Sequence, residues 1–228
     1  RGLGDVYKRQ VYKLSNGVAA PITTFTERNK RVNSVYGTAT LSYANKIFLD
    51  VTGRNDWSST LPSGNNSFFY PSVSTSFILS DLLRLPEQIS FAKLRASWAQ
   101  VGNDTAPYKT AKYYNTSAFP GSASVSSTLY NARFKPEISN SIEVGLDWRM
   151  FKQRFGLDLA FYNNITRNQI LDVPMDQTTG YTKATINSGK VRNRGIELQL
   201  DGTPVKTKNF TWNSTFTWAK NYNKVLSL

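Results

Sequence analysis

The sequence predicts an all-β chain of the transmembrane barrel class. Three observations carry that reading. Segment after segment alternates apolar with polar residues, the links between segments are short and long in turn, and no stretch reaches the roughly 18 uncharged apolar residues a spanning helix needs. A barrel strand crosses with only about ten residues of alternating polarity, so the missing helix leaves a barrel open. Composition narrows the function. The 228 residues include no cysteine and no histidine, carry a formal charge of +13, and are 39% apolar and 13% aromatic. This excludes a disulfide scaffold, a zinc finger, and any catalytic triad built on imidazole or thiolate. The reading is therefore of a protein that is not an enzyme and needs no metal or cofactor. The apolar content is too high for a disordered chain.

The elements follow in order. Residues 1–10, RGLGDVYKRQ, resemble a sequencing adapter read in frame and are expected to be a scar. They carry a net +2, which leaves +11 for residues 11–228. The first strand sets Val35, Ala39, Leu41 and Tyr43 against Ser34, Thr38, Thr40 and Ser42. The second sets Ile47, Leu49 and Val51 against Asp50, Thr52, Arg54 and Asp56, and a weaker third runs over 69–79. SDLLRLPEQ at 80–88 reads as a one-turn helix with Ser80 as cap and Pro86 as stop. In the fourth strand Leu94, Ala96 and Trp98 oppose Lys93, Arg95 and Ser97. The fifth, 137–150, is the clearest, with Ile142, Val144, Leu146, Trp148 and Met150 against Ser141, Glu143, Asp147 and Arg149. Phe155, Leu157, Leu159 and Phe161 then oppose Arg154, Asp158, Tyr162 and Asn164. Ile196, Leu198 and Leu200 oppose Glu197, Gln199 and Asp201, and Phe210, Trp212, Phe216 and Trp218 face away from Thr211, Asn213, Thr215 and Thr217. Such alternation is that of an antiparallel sheet with one apolar and one polar face.

The links after Tyr43, Met150 and Asp201 are short, while 57–68, 102–136 and 167–189 are long. That is the pattern of an outer-membrane barrel, with tight turns at one end and long loops at the other. Tyr43, Trp148, Phe155, Phe210 and Trp212 lie near short links and predict an interfacial aromatic girdle, with Phe48 an exception on the polar face. Charges along the polar face fit a wide lumen, wet or plugged, better than a small packed barrel. About eight strands are then part of a larger barrel, an open curved sheet if isolated, with an unpaired edge at each side.

At this point the residues carry a family resemblance. RNDWSS at 54–59, FFYPSVSTSFILSD at 68–81, FAKLRASWAQVGND at 91–104, PEISNSIEVGLDWRMFKQRFGLDLAFYNNITRNQIL at 136–171 and TGYTKATINSGKVRNRGIELQL at 179–200 resemble successive motifs of the SusC/RagA family of TonB-linked outer-membrane proteins. Trp57 and Ala99 stand where that family often has glycine. The resemblance implies a barrel of about 22 strands with a plugged lumen. It also implies location in the outer membrane and import of glycans or peptides with a SusD-like surface lipoprotein, powered through the TonB complex. The plug, the TonB box and the terminal strands are not found in this sequence, so residues 11–228 are expected to be a C-terminal-half fragment of the barrel, unable to transport alone.

Candidate residues fall in two groups. Arg54, Asp56, Glu143, Asp147, Arg149, Asp158 and Glu197 are expected to form a lumen-facing charge network. Trp57, Tyr108, Tyr113, Tyr114, Phe119 and Tyr130, placed in long loops, could stack on substrate or bury against the lid lipoprotein. The NSGKVRNRG run at 187–195 reads as a turn and bulge that set register. Loop cations Lys109, Lys112, Arg133 and Lys135 could contact lipopolysaccharide phosphates or an acidic substrate. Two other readings stay open: a different outer-membrane barrel, such as a siderophore receptor or porin, and a soluble basic β-module binding polysaccharide or nucleic acid. Because the positive charge is spread over separate links rather than gathered on one face, nucleic acid is not an expected partner.

Overall fold

The computed structural model describes residues 27–116 and 121–228; the 1–10 segment and Phe119 lie outside them. Eight long strands form one sheet: β1 (Val32–Tyr43), β2 (Ile47–Ser58), β3 (Ser67–Ile78), β4 (Ile89–Asn103), β8 (Glu137–Met150), β9 (Phe155–Arg167), β12 (Lys190–Lys206) and β13 (Thr211–Ser227). Each pairs antiparallel with the next long strand along the chain. The register aligns apolar rows across the sheet: Leu41 faces Leu49, Val73 faces Trp98, Trp98 faces Ile142, Leu146 faces Leu159, and Leu198 faces both Leu159 and Trp218. A slip of one residue would turn each of these side chains onto the polar face, so the alternation itself holds the register.

The short links close tightly. Ala44 and Asn45 both adopt positive φ, 51° and 55°, and the Lys46 N–H returns to the Tyr43 carbonyl at 2.9 Å. Ala44 and Asn45 are thus the centre of a turn of the primed type, whose twist matches paired strands, within the three-residue link between the facing Tyr43 and Ile47. At 151–153, Phe151, Lys152 and Gln153 are all left-handed, and the Arg154 N–H bonds the Phe151 carbonyl at 3.2 Å. Between β3 and β4 the helix α1 spans Leu79–Leu82, with its cap two positions earlier than the sequence suggests. Ile78 takes the cap position without a side-chain bond, and Ser80 is the second helical residue, so the expected Ser80 cap is corrected. The apolar run Phe77, Ile78 and Leu79 carries the strand directly into the turn, leaving the serine no place at the entry.

The long links hold structure that alternation could not show. The link between β4 and β8 carries β5 (Tyr114–Thr116), β6 (Ala123–Val125) and β7 (Thr128–Leu129), and the link between β9 and β12 carries β10 (Ile170–Pro174) and β11 (Lys183–Asn187). β5 and β6 form a small hairpin; β10, β11 and β7 form a three-stranded sheet in which β7 runs parallel to β11. Thr182 N–H to the Ser127 carbonyl at 2.8 Å, and Asn187 bonded to both the N–H and the carbonyl of Lys135, tie the two links together. At the start of β12, Gly189 turns the chain with φ 85°, and the pairing with β13 shifts between Lys190 and Val191, a turn followed by a bulge.

Burial is inverted relative to a soluble domain. The apolar face is open, with Tyr43 73% and Phe216 57% exposed, while buried residues include Asp56, Ser58, Thr60, Leu61 and Phe134 near the long-link end. An apolar face of this extent belongs against lipid rather than water. Both β1 and β13 pair on one side only, so the sheet is open, a segment of a larger barrel.

Candidate functional site

The polar face carries its charges as crossed pairs. Arg95 of β4 stands in register with Gly145 of β8, where a Cβ would lie 2.4 Å from its Nε. With no side chain in the way, the guanidinium lies across β8 and reaches Asp158 of β9 through two N–H bonds, 2.8 and 3.1 Å. Paired N–H donors on one carboxylate fix direction as well as adding strength. Glu143 approaches the same guanidinium at 3.9 Å. The device repeats one strand on: Arg149 of β8 lies over Gly156 of β9, donates to Asp147 at 2.8 Å and reaches Asp201 of β12 at 3.4 Å. Near the long-link end Arg54 donates to Asp56 at 2.8 Å and to Ser34 at 3.1 Å, and sits 5.8 Å from the Tyr70 ring centroid. The Tyr70 hydroxyl donates to the other Asp56 oxygen.

The charged residues expected to line the lumen thus converge on three ion-paired clusters, except Glu197, which has no ion pair among the described residues. Glu197 instead lines a concavity of about 400 Å³ with Arg95, Glu143, Asp158 and Gln199. A second, of about 300 Å³, lies among Asp50, Ser74, Lys93, Ser97, Arg95 and Glu143, so the last two side chains border both. Sequence reasoning left Arg95, Tyr70 and Asp201 out of the network. Each has the right parity, but only the register places Arg95 over a glycine or Tyr70 beside Arg54.

At the long-link end Asp104, just past β4, gathers Lys30 at 2.5 Å, the Ser58 hydroxyl, and the Thr60 hydroxyl at 3.1 Å. Burial alone would raise this carboxyl, but the hydrogen bonds from Lys30, Ser58 and Thr60 hold it below the usual carboxylate range. The Lys183 ammonium at 2.8 Å and the Thr185 hydroxyl at 2.7 Å likewise hold Asp172 low.

The aromatic candidates separate. Trp57 is not a loop residue: it lies in β2 at the parity of the apolar face, because β2 continues through Ser58. Tyr108 and Tyr113 do meet, edge to face, with centroids 6.0 Å apart, and the Asn29 N–H bonds the Tyr108 hydroxyl at 3.2 Å. Tyr114, at the start of β5, is exposed, and Tyr130 is half-buried. Lys112 stands over the Tyr181 ring at 5.1 Å, an aromatic that the candidates did not include. The loop cations therefore have local partners in part: Lys112 has a ring, and Lys109 lies close enough to Asp172 to act on its charge.

Comparison with known proteins is consistent along the chain. The family described as TonB dependent receptor-like, beta-barrel matches residues 2–226. The TonB-dependent receptor P26 of Formosa agariphila is 33% identical over 207 residues, covering 87% of this chain and 21% of that protein. The TonB-dependent receptor SusC of Bacteroides thetaiotaomicron is 26% identical, covering 90% of this chain and 22% of its own length. A structure of the RagAB peptide transporter superposes with a TM-score of 0.80 at 23% identity, covering 87% of this chain and 23% of that one, a likeness of fold. The chain spans about a fifth of the length of the curated relatives it matches.

Proposed function

This chain belongs to the TonB-dependent receptor β-barrel family, in its SusC/RagA branch, and on that premise we propose that it forms wall strands of an active importer of glycans or peptides. The sheet is a segment of an outer-membrane barrel. In the complete protein a plug and TonB supply gating and energy from outside residues 11–228, and a SusD-like lipoprotein closes over the long-link end. In this reading residues 1–10 are an adapter scar.

The observation that supports import most directly is the polar face. Crossed charge pairs and two concavities are natural beside an aqueous or plugged lumen and costly in a barrel packed by its own side chains. The woven long links offer the Tyr108–Tyr113 pair and Lys112 over Tyr181 as a surface for a sugar ring, a peptide or the lid. The test is made on the intact gene in its native host. Affinity purification of the full receptor is expected to bring down a surface lipoprotein, and deletion is expected to abolish growth on one oligosaccharide or peptide source. Purification without any lipoprotein, and unimpaired growth on all such sources, would overturn the reading.

A further inference from the structure

The apolar face is not apolar throughout. Along β12 its side chains run Leu200, Leu198, Ile196, then Arg194 and Arg192, and along β13 they run Phe216, Trp218, then Lys220, Tyr222 and Lys224. Register joins the two series: Ile196 faces Lys220, Arg194 faces Tyr222, and Arg192 faces Lys224. Directly paired residues project from the same side of a sheet, so these cations share the face that carries Leu198 and Trp218. Lys190 and Arg167, which also face each other, extend the cluster to the ends of β12 and β9. None of these cations has an ion-pair partner among the described residues, and the Nε of Arg192 is buried without a hydrogen-bond partner. The same face of β1, β2, β3, β4 and β8 carries no charged residue.

Height decides what such a cluster meets. From Trp212 at the short-link end to Lys220, β13 runs about 26 Å, which at the usual barrel tilt of about 40° is about 20 Å of rise. The apolar band of such barrels is about 25 Å tall, so Lys220 stands about 5 Å below its upper boundary on the long-loop side, and Arg194, which faces Tyr222 two residues further along, stands at that boundary. There Arg194, Lys220, Tyr222, Phe161 and Ile196 surround a concavity of about 400 Å³, with the Arg194 guanidinium 5.4 Å from the Tyr222 ring centroid. Apolar walls below and unpaired cations above match an amphiphile whose head is anionic. A further strand added at the free edge of β13 would lengthen the sheet and leave this face uncovered.

We propose that this patch binds the phosphorylated head of an outer-leaflet glycolipid of the lipid A type, with Arg192, Arg194, Lys220 and Lys224 on the phosphates and an acyl chain along Phe161 and Ile196. The proposal rests on the assignment of this face to the outer membrane. It differs from a loop-borne lipid contact, because these cations project from strands at membrane depth.

The test uses the complete receptor, purified in mild detergent and compared with the R192Q/R194Q/K220Q/K224Q variant and, should that variant fail to insert, with K220Q/K224Q. Heat-modifiable mobility on gels reports barrel insertion separately and so tests the membrane assignment by itself. Native mass spectrometry then counts retained lipid. The wild type is expected to hold a phosphorylated lipid at defined stoichiometry, with occupancy falling at least about tenfold in the inserted quadruple variant and by a smaller factor in the double. Added bisphosphorylated lipid A should restore occupancy in lipid-stripped wild type, while the dephosphorylated lipid should not. Inorganic phosphate should fail to compete at equal concentration, which separates a lipid head from a free-anion site. Equal lipid retention in wild type and inserted variants, competition by inorganic phosphate alone, or an acidic protein held in place of lipid would each overturn the proposal.

Discussion

The two faces of β12 carry charge by opposite rules. On the polar face Asp201 receives Arg149 from two strands away, and on β9 Asp158 receives Arg95 in the same manner. On the apolar face Arg192 and Arg194 have no acid facing them on β9 or β13. Polar-face acids such as Asp158 and Asp201 are matched within the sheet by an arginine two strands away. An apolar-face cation is placed only toward the upper boundary of the apolar band, where the counter-charge belongs to the surroundings. The contrast teaches that position along a strand matters as much as parity: the same outward row changes from Leu198 to Arg194 within four residues.

The largest way to break this contrast is to carry a cation down into the band. Leu198→Arg places on lipid what β12 otherwise keeps above it, and should destabilise the complete barrel by about 2–4 kcal/mol, against about 0–1 kcal/mol for Arg194→Leu near the boundary. Urea unfolding of the full receptor in lipid vesicles measures both, and equal effects would erase the distinction of height. The next effect lies on the polar face. Gly145→Ala puts a Cβ into the Arg95 guanidinium and should release it from Asp158, at a cost of about 1–2 kcal/mol given the partial exposure of the pair. Asp158→Ala removes the same contact from the other side. The two substitutions together should therefore cost clearly less than their sum, and strict additivity in the double-mutant cycle would show that the glycine is not the seat of the arginine.

The smallest effect is one of pH at the long-link end. Because the folded-state Asp104 carboxyl sits below its unfolded value of about 3.9, its contribution is present above that value and is lost as pH falls through the folded one. Hydrogen-exchange protection of the amides at 58–61, relative to the unstructured rate at the same pH, should be high at neutral pH and should fall on acidification below about 4. Asp104→Asn should show the low protection at both pH values. A wild-type profile unchanged by acid would dissociate the corner from this carboxyl.

Much of the fold was legible in the sequence because alternation is a property of consecutive residues. Ile142 to Met150 announces one wet and one dry face without reference to any neighbour, and the short spacing between the strands ending at Tyr43 and starting at Ile47 leaves room only for a tight reversal. The long links were not legible in this way. β7 and β11 are two and five residues long, too short for a period to register, and what makes them strands is their contact with each other across more than fifty residues of chain. Trp57 was misplaced for a related reason: the alternation ends the second strand at Asp56, whereas pairing with β3 carries it through Trp57 and pairing with β1 through Ser58.

By itself the sequence determined the eight long strands, their two faces and the alternating link lengths, since each follows from local polarity and the spacing of turns. Tertiary structure alone decided which charge meets which. That Arg95 crosses Gly145 to Asp158, that Asp104 collects Lys30 and Thr60, and that Arg192 and Arg194 stand beside Lys224 and Tyr222 are consequences of register. Register is a long-range property: it is set when turns close and apolar rows align between strands, so no single strand contains the information that names its partner.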